Sequence, residues 1–333
     1  MTRGENYCSA ARYVCGVLRG MSADNRSVYI NVEFVDKLSE MMYYGAEYIQ
    51  VVCDFDHTLS KYTHNAAKVP VCHGLFMNHH RIPEMSRMRL MELYESYMSI
   101  RNYGNANESE NISLTMEFWK LAHKALVDGN ITRNDVECCA LEGGIVIRDN
   151  ATIFLNKLAQ NNIPMIIFSG GIGNVIETLL TALNIPLDNI RIVSNFMDFN
   201  SEGRLVGFQD PVIHSLNKTY KIIQNSEYYE TVLSKRTCIL LIGDSDNDAA
   251  MIDNRQKFSS GQIIVIRIGF LNEKIDERME LFTSLYDIVL VNDETFDIPL
   301  VILSSIFNSD EFLKRDDNTI ATANNNNNNN NNT

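Results

Sequence analysis

Short apolar runs rich in valine and isoleucine recur along the chain and alternate with segments of helical periodicity. Runs of this kind, separated by amphipathic segments, are typical of buried parallel strands joined by crossover helices. They predict strands at 48–52, 163–168, 190–193, 238–242, 263–268 and 288–291. The pattern therefore predicts an α/β fold built on a doubly wound parallel sheet.

The region 62–144 breaks this rhythm, because it contains no convincing strand pattern. Apolar side chains there follow a helical spacing, at Leu114, Phe118, Leu121 and Ala125. Thr132-x-x-Asp135 resembles a capping box at the start of a further helix. We therefore predict a helical cap inserted after the first strand of the sheet, where it would cover the carboxyl ends of the strands as a lid.

These patterns also divide the chain. We predict an N-terminal segment and helix at 1–47, a core formed by 48–61 and 145–308, the cap at 62–144, and a tail at 309–333. The tail contains an asparagine run that can bury nothing, so we expect the tail to be disordered.

Composition narrows the class of protein. The chain has 333 residues, of which 45% are hydrophobic and 21% charged, as expected for a soluble globular protein. Its formal net charge of -13 argues against binding to a nucleic acid polymer, since such proteins carry basic surfaces. No stretch reaches the ~18 apolar residues that a membrane-spanning helix needs. Seven cysteines without a repeated CxxC pair suit a reducing compartment. We therefore expect a cytoplasmic protein without a membrane partner. We also expect a monomer, although composition does not bear on this.

Polar clusters follow several of the predicted strands or begin the helices after them. They are Asp54-Phe55-Asp56-His57-Thr58, Ser169-Gly170-Gly171, Lys218, and Asp244-Ser245-Asp246-Asn247-Asp248. Because the carboxyl ends of parallel strands meet at one edge of a sheet, we expect these distant residues to converge. Several carboxylates beside one lysine suit Mg²⁺, which binds oxygen ligands and keeps waters that a phosphate can displace.

With a metal present, one carboxylate of the Asp54 and Asp56 pair can attack phosphorus and form an aspartyl-phosphate. Its neighbour can protonate the leaving oxygen and later deprotonate a water molecule. The glycines after Ser169 let backbone N–H groups approach phosphate oxygens at a helix N-terminus. The sequence therefore predicts phosphoryl transfer to water.

Other interpretations of these residues stay open. Asp56 could cap a backbone N–H in a turn, and Asp246 is predicted to cap a helix rather than to bind metal. A phosphorylation-controlled binding module also combines a doubly wound sheet with an acidic pocket, a hydroxyl and a lysine, but it needs neither an acid for a leaving group nor a lid. A nucleotide-binding relative without catalysis is a third alternative. The run 170–175 is a poor dinucleotide fingerprint, because Ile176 occupies the place of the third glycine.

The four clusters resemble the motifs of the haloacid dehalogenase superfamily of phosphohydrolases, whose first motif is DxDxT at the end of the first strand. The resemblance implies that Asp54 is the nucleophile and Asp56 the acid/base. It implies that Mg²⁺ is held by Asp54, the main-chain carbonyl of Asp56, and Asp244, with Asp248 as support. Ser169 and Lys218 then correspond to the second and third motifs.

Longer segments resemble the cytosolic 5'-nucleotidase III (pyrimidine 5'-nucleotidase) family, in order from about Val28 to Ile306. They are FSGGIGNVIE at 168–177, VSNFMDFN at 193–200, IHSLNK at 213–218, and IGFLN with YDIVLV towards the C-terminal end. The resemblance implies a haloacid dehalogenase-like fold with a helical cap. It also implies a Mg²⁺-dependent 5'-nucleotidase whose partner is its substrate, a pyrimidine nucleoside 5'-monophosphate such as CMP or UMP.

The cap residues carry the implied base recognition. In that family a glutamate of the cap contacts the base and is followed by aromatic residues, a pattern that Glu117-Phe118-Trp119 matches. Trp119 then stacks on the base, with Phe76 as a candidate for the opposite face. Gly143 stands where the family has a serine near the phosphate, so this contact departs from the pattern. The implied substrate-binding set is Glu117, Trp119, Gly143, Ser169, Gly170 and Lys218.

One branch of the family prefers 7-methylguanosine monophosphate and resembles this chain in having tryptophan at the position of Trp119. A methylated, positively charged purine stacks well on an indole through cation–π attraction. A 5'-nucleotidase that prefers 7-methylguanosine 5'-monophosphate is therefore the alternative to the pyrimidine nucleotidase.

Structural roles compete with these binding roles. Trp119 and Phe76 could pack in the core of the cap, and Glu117 could pair with Lys120 one helical turn away. Several further side chains form no second Cys/His pair at zinc-finger spacing, so we assign them no metal. They are His57, Cys72, His73, His79 and His80.

Overall fold

The computed structural model describes residues 3–23, 26–103, 108–253 and 263–309. Its strands are β1 (Ser27–Ile30), β2 (Ile49–Cys53), β3 (Thr63–His64), β4 (Ala67–Lys68), β5 (Met165–Ile172), β6 (Ile190–Asn195), β7 (Met197–Phe199), β8 (Leu205–Phe208), β9 (Cys238–Gly243), β10 (Ile264–Leu271) and β11 (Ile288–Val291). Its α-helices are α1 (Arg3–Gly20), α2 (Phe34–Tyr44), α3 (Cys72–Asn78), α4 (Glu84–Tyr103), α5 (Glu108–Asp128), α6 (Arg133–Glu142), α7 (Ala151–Gln160), α8 (Gly173–Ala182), α9 (Asp246–Ala249), α10 (Ile275–Leu285) and α11 (Asp297–Phe307). The tail predicted at 309–333 lies, apart from Ser309, outside the described residues.

Seven of these strands form one sheet, in the order β1-β11-β10-β9-β2-β5-β6. The pairings in this sheet are parallel except that of β1 with β11, which is antiparallel. Every strand predicted from an apolar run lies in the sheet. The prediction of an α/β fold with a doubly wound parallel sheet is therefore confirmed.

The central strands β2 and β9 are buried along their whole length. In β2, Val51 and Val52 belong to two different apolar clusters, one on each face of the sheet. This explains why the strand shows no polar alternation, since both faces are covered. Gln50 is the polar exception, and its amide donates hydrogen bonds to the carbonyl oxygens of Leu233 at 3.3 Å and Arg236 at 2.5 Å.

The region between β2 and α7 contains the helices α3 to α6. The capping box predicted at Thr132 and Asp135 is confirmed, because each side chain accepts a hydrogen bond from the backbone N–H of the other residue. The helix predicted around residues 114–125 is α5, but its buried face is shifted from the predicted stripe. Leu121 is exposed, whereas Ala122 and Leu126 are buried.

Two short hairpins were not predicted. The strands β3 and β4 form one of them inside the region where no strand was expected, and β7 with β8 forms the other. The second hairpin bonds to the turn between α5 and α6, where Leu205 N donates to Ile131 O at 2.8 Å and Arg133 N donates to Gly203 O at 2.9 Å. We propose 62–144 as the cap, in contact with this hairpin at the α5 to α6 turn.

The strand order determines where ligands can bind. β2 lies between β9 and β5, so the residues that follow these three strands are neighbours at the carboxyl edge of the sheet. In open α/β sheets this edge is where ligands bind.

Candidate active site

Asp54 follows β2 directly, and its side chain is buried. Its Oδ1 atom lies 2.5 Å from Nζ of Lys218, which is also buried and follows a turn at 215–217. The same Nζ atom lies 2.6 Å from Oδ1 of Asp248. One ammonium group therefore contacts carboxylates from two neighbouring parts of the sheet edge.

Asp244 completes the acidic group. It follows β9, and carboxylate oxygens of Asp54, Asp244 and Asp248 all lie within 4.8 Å of one another. The structure thus brings together residues that are nearly two hundred positions apart, as the parallel sheet predicts. The side chain of Asp56 lies outside this group of three.

Ser245, the residue immediately before α9, holds the side chain of Asp248 in place. Ser245 is the N-cap of α9, and its Oγ accepts a hydrogen bond from Asp248 N at 3.3 Å and donates one to Asp248 Oδ2 at 2.8 Å. One oxygen of Asp248 therefore serves the helix cap, while the other faces Lys218.

The prediction that Asp246 caps this helix is wrong. Ser245 has the extended backbone that an N-cap requires, and its short hydroxyl reaches the N–H three residues on. Asp246 is the first helical residue; it is exposed and lies 3.6 Å from Arg278.

The loop after Asp54 turns sharply at His57, whose φ of 62° lies in the left-handed region. The turn is held by Ser60, whose Oγ accepts a hydrogen bond from His57 N at 2.7 Å. It directs Asp56 towards the cap, where Asp56 Oδ1 accepts a hydrogen bond from the backbone N–H of Cys72 at 2.9 Å. Since Cys72 is the first residue of α3, the start of the cap orients the second aspartate of the motif.

Ser169 lies in β5 and is buried. Its Oγ accepts a hydrogen bond from Gly171 N at 3.0 Å, so the hydroxyl proton can be donated to a phosphate oxygen. A Cβ atom on Gly171 would lie 2.8 Å from Cβ of Cys72 and 3.0 Å from Oδ2 of Asp56. Glycine is needed here because the start of α3 and the Asp56 carboxylate approach the backbone closely.

Asn195 connects the Ser169 segment with the segment that leads to Lys218. Its amide donates to the carbonyl oxygens of Gly170 at 2.9 Å and Ile213 at 2.8 Å, and its Oδ1 accepts from Ile213 N at 2.9 Å. Asn195 belongs to the segment VSNFMDFN, which carried the family resemblance without any stated role for this residue. The structure gives it a positioning role.

Arg148 is a second residue that the sequence analysis missed. It is almost fully buried, and its guanidinium donates to the carbonyl oxygens of Thr58 at 2.8 Å and His57 at 2.6 Å, and also to that of Asp293. It further donates to Asn272 Oδ1 at 3.0 Å. Asn272 in turn donates to Asp244 Oδ2 at 3.5 Å. Arg148 therefore fixes the loop of the first motif and is linked through Asn272 to Asp244.

Burial dominates the electrostatics of the site. It raises the pKa of Asp54 to about 7, against the opposing effect of Lys218. Burial also raises the pKa of Asp56, although the hydrogen bonds from Cys72 act in the other direction. The pKa of Asp244 is raised well above its ordinary value by burial and by the nearby Asp248 and Asp54 carboxylates. The pKa of Lys218 is raised, since attraction to Asp248 and Asp54 outweighs the cost of burial.

These features test whether the residues suit a divalent cation. The buried Asp54 and Asp248 share one ammonium group, and the half-buried Asp244 adds a third carboxylate, so full ionisation of the three requires further positive charge. Their oxygen donors are those that Mg²⁺ prefers, and Mg²⁺ in such sites uses one or two carboxylates with water. The residues therefore fit a bound Mg²⁺.

The predicted base-binding residues lie on α5. Glu117 is exposed, and within the described part of the chain no ion pair joins it to Lys120. Trp119 is half-buried, with its ring centroid 4.1 Å from that of His73 and 4.8 Å from that of Phe118. Both residues therefore reach the surface of the cap, whereas tilted and edge-on contacts with aromatic neighbours also give Trp119 a packing role.

Phe76 and Gly143 both lie in closely packed surroundings. Phe76 is fully buried, which agrees with the packing role and leaves no ring face for a base. Gly143 is the C-cap of α6, and a Cβ atom there would lie 2.5 Å from Cδ2 of Leu75 and 2.4 Å from the carbonyl oxygen of Cys139. A serine would not fit at this backbone position, so the departure from the family has a packing reason.

The structure also bears on the cysteines and on the length of apolar helices. All seven cysteines are free thiols in the structure. Among the helices of the described ranges, none combines the length and hydropathy required to cross a membrane.

Comparisons with known proteins point to one family. A family model described as pyrimidine 5'-nucleotidase (UMPH-1) matches residues 57–307. The chain is 34% identical over 271 residues to the 7-methylguanosine phosphate-specific 5'-nucleotidase A of Xenopus laevis, which covers 81% of this chain and 92% of the relative. It is 36% identical over 262 residues to the 7-methylguanosine phosphate-specific 5'-nucleotidase of Homo sapiens, covering 79% of this chain and 86% of the relative. A crystal structure of cytosolic 5'-nucleotidase IIIB bound to cytidine superimposes with a TM-score of 0.77 at 29% identity, over 87% of this chain and 96% of that chain.

Proposed function

The chain belongs to the pyrimidine 5'-nucleotidase (UMPH-1) family, with a haloacid dehalogenase-like fold, and we propose that its preferred substrate is 7-methylguanosine 5'-monophosphate. It is a 5'-nucleotidase, a hydrolase of phosphoric monoesters. The observation that carries the proposed mechanism is the convergence of Asp54, Lys218, Asp244 and Asp248 at the carboxyl edge of the sheet.

The preference for the methylated purine is supported by the names of the relatives from Xenopus laevis and Homo sapiens. It is also supported by Trp119, a half-buried indole on α5 two residues after the exposed Glu117. An indole attracts a cationic ring more strongly than a phenyl ring does, and a carboxylate can accept hydrogen bonds from the edge of the base. This order of substrates reverses the expectation from sequence, which placed pyrimidine nucleotides first.

Pyrimidine nucleoside monophosphates are the second candidate substrates. The family description names a pyrimidine nucleotidase, and the solved relative holds cytidine. CMP or UMP would require only Glu117 and one stacking surface.

In the proposed mechanism Asp54 is the nucleophile. Its carboxylate oxygen forms a bond to phosphorus while the bond from phosphorus to the 5'-oxygen of the nucleotide breaks. Asp56 gives a proton to that oxygen, which leaves as the 5'-hydroxyl of the nucleoside. Burial raises the pKa of Asp56 and so favours the protonated form that this step requires.

The second step restores the enzyme. Asp56, now ionised, takes a proton from a water molecule whose oxygen attacks the phosphorus. The bond between phosphorus and Asp54 breaks, and inorganic phosphate leaves. Ser169 and Lys218 would hold phosphate oxygens by a hydroxyl donor and a positive charge, and Gly170 would offer its backbone in the same segment.

Asp54, Asp244 and the main-chain carbonyl of Asp56, with Asp248 as support, are the residues that would hold Mg²⁺. When bound, Mg²⁺ supplies positive charge that stabilises the phosphoryl oxygens. The protein's own contribution is the fixed position of these oxygens, which the Ser245 cap and the Arg148 network maintain.

A panel of substrates tests the proposal. Phosphate release is measured at multiple turnovers with 7-methylguanosine monophosphate, GMP, CMP and UMP in the presence of Mg²⁺. We expect the highest kcat/KM with the methylated purine. Trp119→Leu should lower that value by about 5- to 30-fold, the equivalent of a cation–π contact, while Trp119→Phe retains a ring and should lose less.

Two outcomes would count against parts of this proposal. Higher kcat/KM with CMP or UMP would select the second candidate. A single burst of phosphate without turnover would instead support the phosphorylation-controlled binding module.

We further propose a cytosolic location, supported by the name of the solved relative, and a monomer, which light scattering at the chain mass of 37.9 kDa would test.

A further inference from the structure

A second group of metal-ligand side chains lies in the cap, apart from the acidic residues of the proposed active site. His79 and His80 follow α3, and Glu142 is the last residue of α6. One ligand atom from each of the three residues lies within 4.8 Å of those of the other two. His79 Nε2 lies 3.6 Å from Glu142 Oε2, and the two imidazole centroids are 4.5 Å apart.

Adjacent side chains of an extended chain usually point in opposite directions. His79 has an extended backbone at the end of α3, with φ of -79° and ψ of 135°. Its ring and that of His80 nevertheless lie together, with an angle of 30° between them. The chain at this turn therefore presents both imidazoles on the side where α6 ends.

This constellation was not visible in the sequence, which offers no second Cys/His pair at zinc-finger spacing. The third candidate ligand is a carboxylate more than sixty positions away. It reaches the histidines because the end of α6 packs on α3, where a Cβ atom on Gly143 would lie only 2.5 Å from Leu75 Cδ2.

We propose that His79, His80 and Glu142 form a binding site for a borderline divalent metal such as Zn²⁺. Two imidazoles and one carboxylate suit Zn²⁺ rather than Mg²⁺. Ligand atoms around Zn²⁺ stand about 3–4 Å apart, a spacing that small side-chain rotations reach from the present one. Glu142 and His80 are exposed, so both can rotate and solvent can supply a fourth ligand.

Metal binding also requires a change of tautomer at His79. His79 Nδ1 accepts a hydrogen bond from Arg81 N at 3.3 Å, which leaves the ring proton on Nε2, towards Glu142. Ligation through Nε2 moves that proton to Nδ1 and gives up this long hydrogen bond. The ligand is then a neutral imidazole, and no net proton is released from it.

The proposed metal site would be linked to the proposed active site through α3. The first residue of α3, Cys72, donates its backbone N–H to Asp56, and the site lies at the other end of the same helix. A metal that joins the end of α3 to the end of α6 would stabilise the helix that orients Asp56.

The experiment is a Zn²⁺ titration of the 333-residue chain in excess Mg²⁺, which is added to occupy the acidic residues of the proposed active site. Competition with a coloured chelator gives stoichiometry and affinity without any need for enzymatic activity. We expect one Zn²⁺ per chain, and at least tenfold weaker binding in His80→Ala and in Glu142→Gln. His64→Ala is the matched control, because His64 is exposed outside the cluster and its loss should not change the affinity.

Substitution of Co²⁺ gives a second readout. The wild-type protein should show visible absorption of a low-coordinate Co²⁺ site, and His80→Ala should lose it. Equal Zn²⁺ affinity in wild type, His80→Ala and Glu142→Gln would overturn the proposal, as would the absence of Zn²⁺ binding in excess Mg²⁺. Because neither readout depends on nucleotide turnover, these results are independent of the substrate assignment.

Discussion

Lys218 stands between two carboxylates, with Asp54 Oδ1 at 2.5 Å and Asp248 Oδ1 at 2.6 Å. Removing the charge of one carboxylate therefore leaves the buried ammonium with the other as its partner. This matters for any test of the nucleophile, since a buried lysine without a partner would destabilise the fold. The arrangement allows chemistry and stability to be separated at Asp54.

We expect Asp54→Asn to reduce turnover by on the order of 10³-fold or more, because an amide cannot form the aspartyl-phosphate. The melting temperature should change little, since Lys218 retains Asp248. Phosphate release and thermal unfolding are measured together. Asp246→Asn makes the same chemical change at an exposed carboxylate and should leave turnover near the wild-type level. Turnover of Asp54→Asn close to that of the control would refute the assigned nucleophile.

Arg148 tests the positioning network. Arg148→Met fills a similar volume but leaves the carbonyl oxygens of His57, Thr58 and Asp293 without this donor, and a buried partner lost in this way costs about 3–5 kcal/mol. We expect the free energy of unfolding to fall by that amount in urea titrations. Arg148→Lys should also raise the Mg²⁺ concentration for half-maximal activity, because an ammonium cannot reproduce the fork that reaches Asn272.

The control for Arg148 is Arg204→Met, which removes an exposed arginine whose contact is Glu202 at 3.5 Å. Its effect on stability should be below about 0.5 kcal/mol. If Arg148→Met were no more destabilised than Arg204→Met, the buried network would have no energetic role. An unchanged Mg²⁺ requirement in Arg148→Lys would restrict Arg148 to a structural function.

Individual site residues differ in how far the sequence could predict them. Asp54, Asp244 and Lys218 were expected to converge because each follows a predicted strand or occupies a motif, and the structure brings them together. Arg148 and Asn195 could not be found in this way, since most of their partners are backbone carbonyls in distant segments. Every residue has a backbone carbonyl, so the sequence does not indicate which carbonyls accept these hydrogen bonds. The burial of Phe76 likewise depends on which face of the cap is covered, which a single apolar residue does not reveal.

At the scale of elements, two helices begin with the same device. Thr132 and Ser245 each form a capping box with an aspartate three residues on, before α6 and α9 respectively. The first box lies in the cap, and its aspartate contacts nothing in the acidic group. The second box contains Asp248, whose other oxygen faces Lys218. The capping hydroxyl can therefore be removed from a helix whose capping box contacts the proposed active site, α9, and from one whose capping box does not, α6.

We expect Thr132→Ala and Ser245→Ala each to lower stability by about 1 kcal/mol, as lost N-caps do. Only Ser245→Ala should lower kcat, by roughly tenfold, because Asp248 loses the hydroxyl that fixes its Oδ2 atom. Denaturant unfolding and steady-state kinetics on both variants provide the test. A similar loss of kcat in both would show that the effect comes from general stability rather than from the position of Asp248.

The elements themselves were predictable in proportion to their burial. The strands of the parallel sheet are covered on both faces, so continuous apolar runs identified them. The strand β1 lies at the edge of the sheet and pairs only with β11, while β3 and β4 are two residues each and exposed. Short strands of this kind need no continuous apolar run, so the apolar pattern of the sequence did not predict them. The buried face of α5 was also predicted imperfectly. Leu121 fits the helical spacing of the predicted apolar stripe, yet its side chain is exposed.

At the scale of the whole molecule, the proposed cap contacts the rest of the chain at several places, among them the start of α3 and the turn between α5 and α6. Cys72 at the start of α3 donates to Asp56, and the turn between α5 and α6 pairs with the β7 to β8 hairpin through Ile131 and Arg133. The acidic group lies at the sheet edge near the first of these contacts. Its charge state therefore affects the stability of core and cap together, and a bound cation should stabilise the entire chain.

The pH dependence of this effect follows from the raised pKa values. Burial raises the pKa of Asp54 to about 7, and it also raises the pKa values of Asp56 and Asp244. In the unfolded chain these carboxyl groups titrate near pH ~4. Between about pH 4 and pH 7 the metal-free folded protein therefore binds more protons than the unfolded chain, and its free energy of unfolding falls as pH rises.

A divalent cation reverses this trend, because it favours the ionised carboxylates. We expect Mg²⁺, compared with a chelator, to raise the melting temperature more at about pH 8 than at about pH 5, where protons already neutralise the group. Scanning calorimetry at both pH values measures the difference between the Mg²⁺ and chelator samples, which cancels titrations elsewhere in the protein. Asp244→Asn removes one carboxylate of the group and should lose most of the Mg²⁺ effect. An equal or larger shift at the lower pH would mean that the cation does not bind to this acidic group.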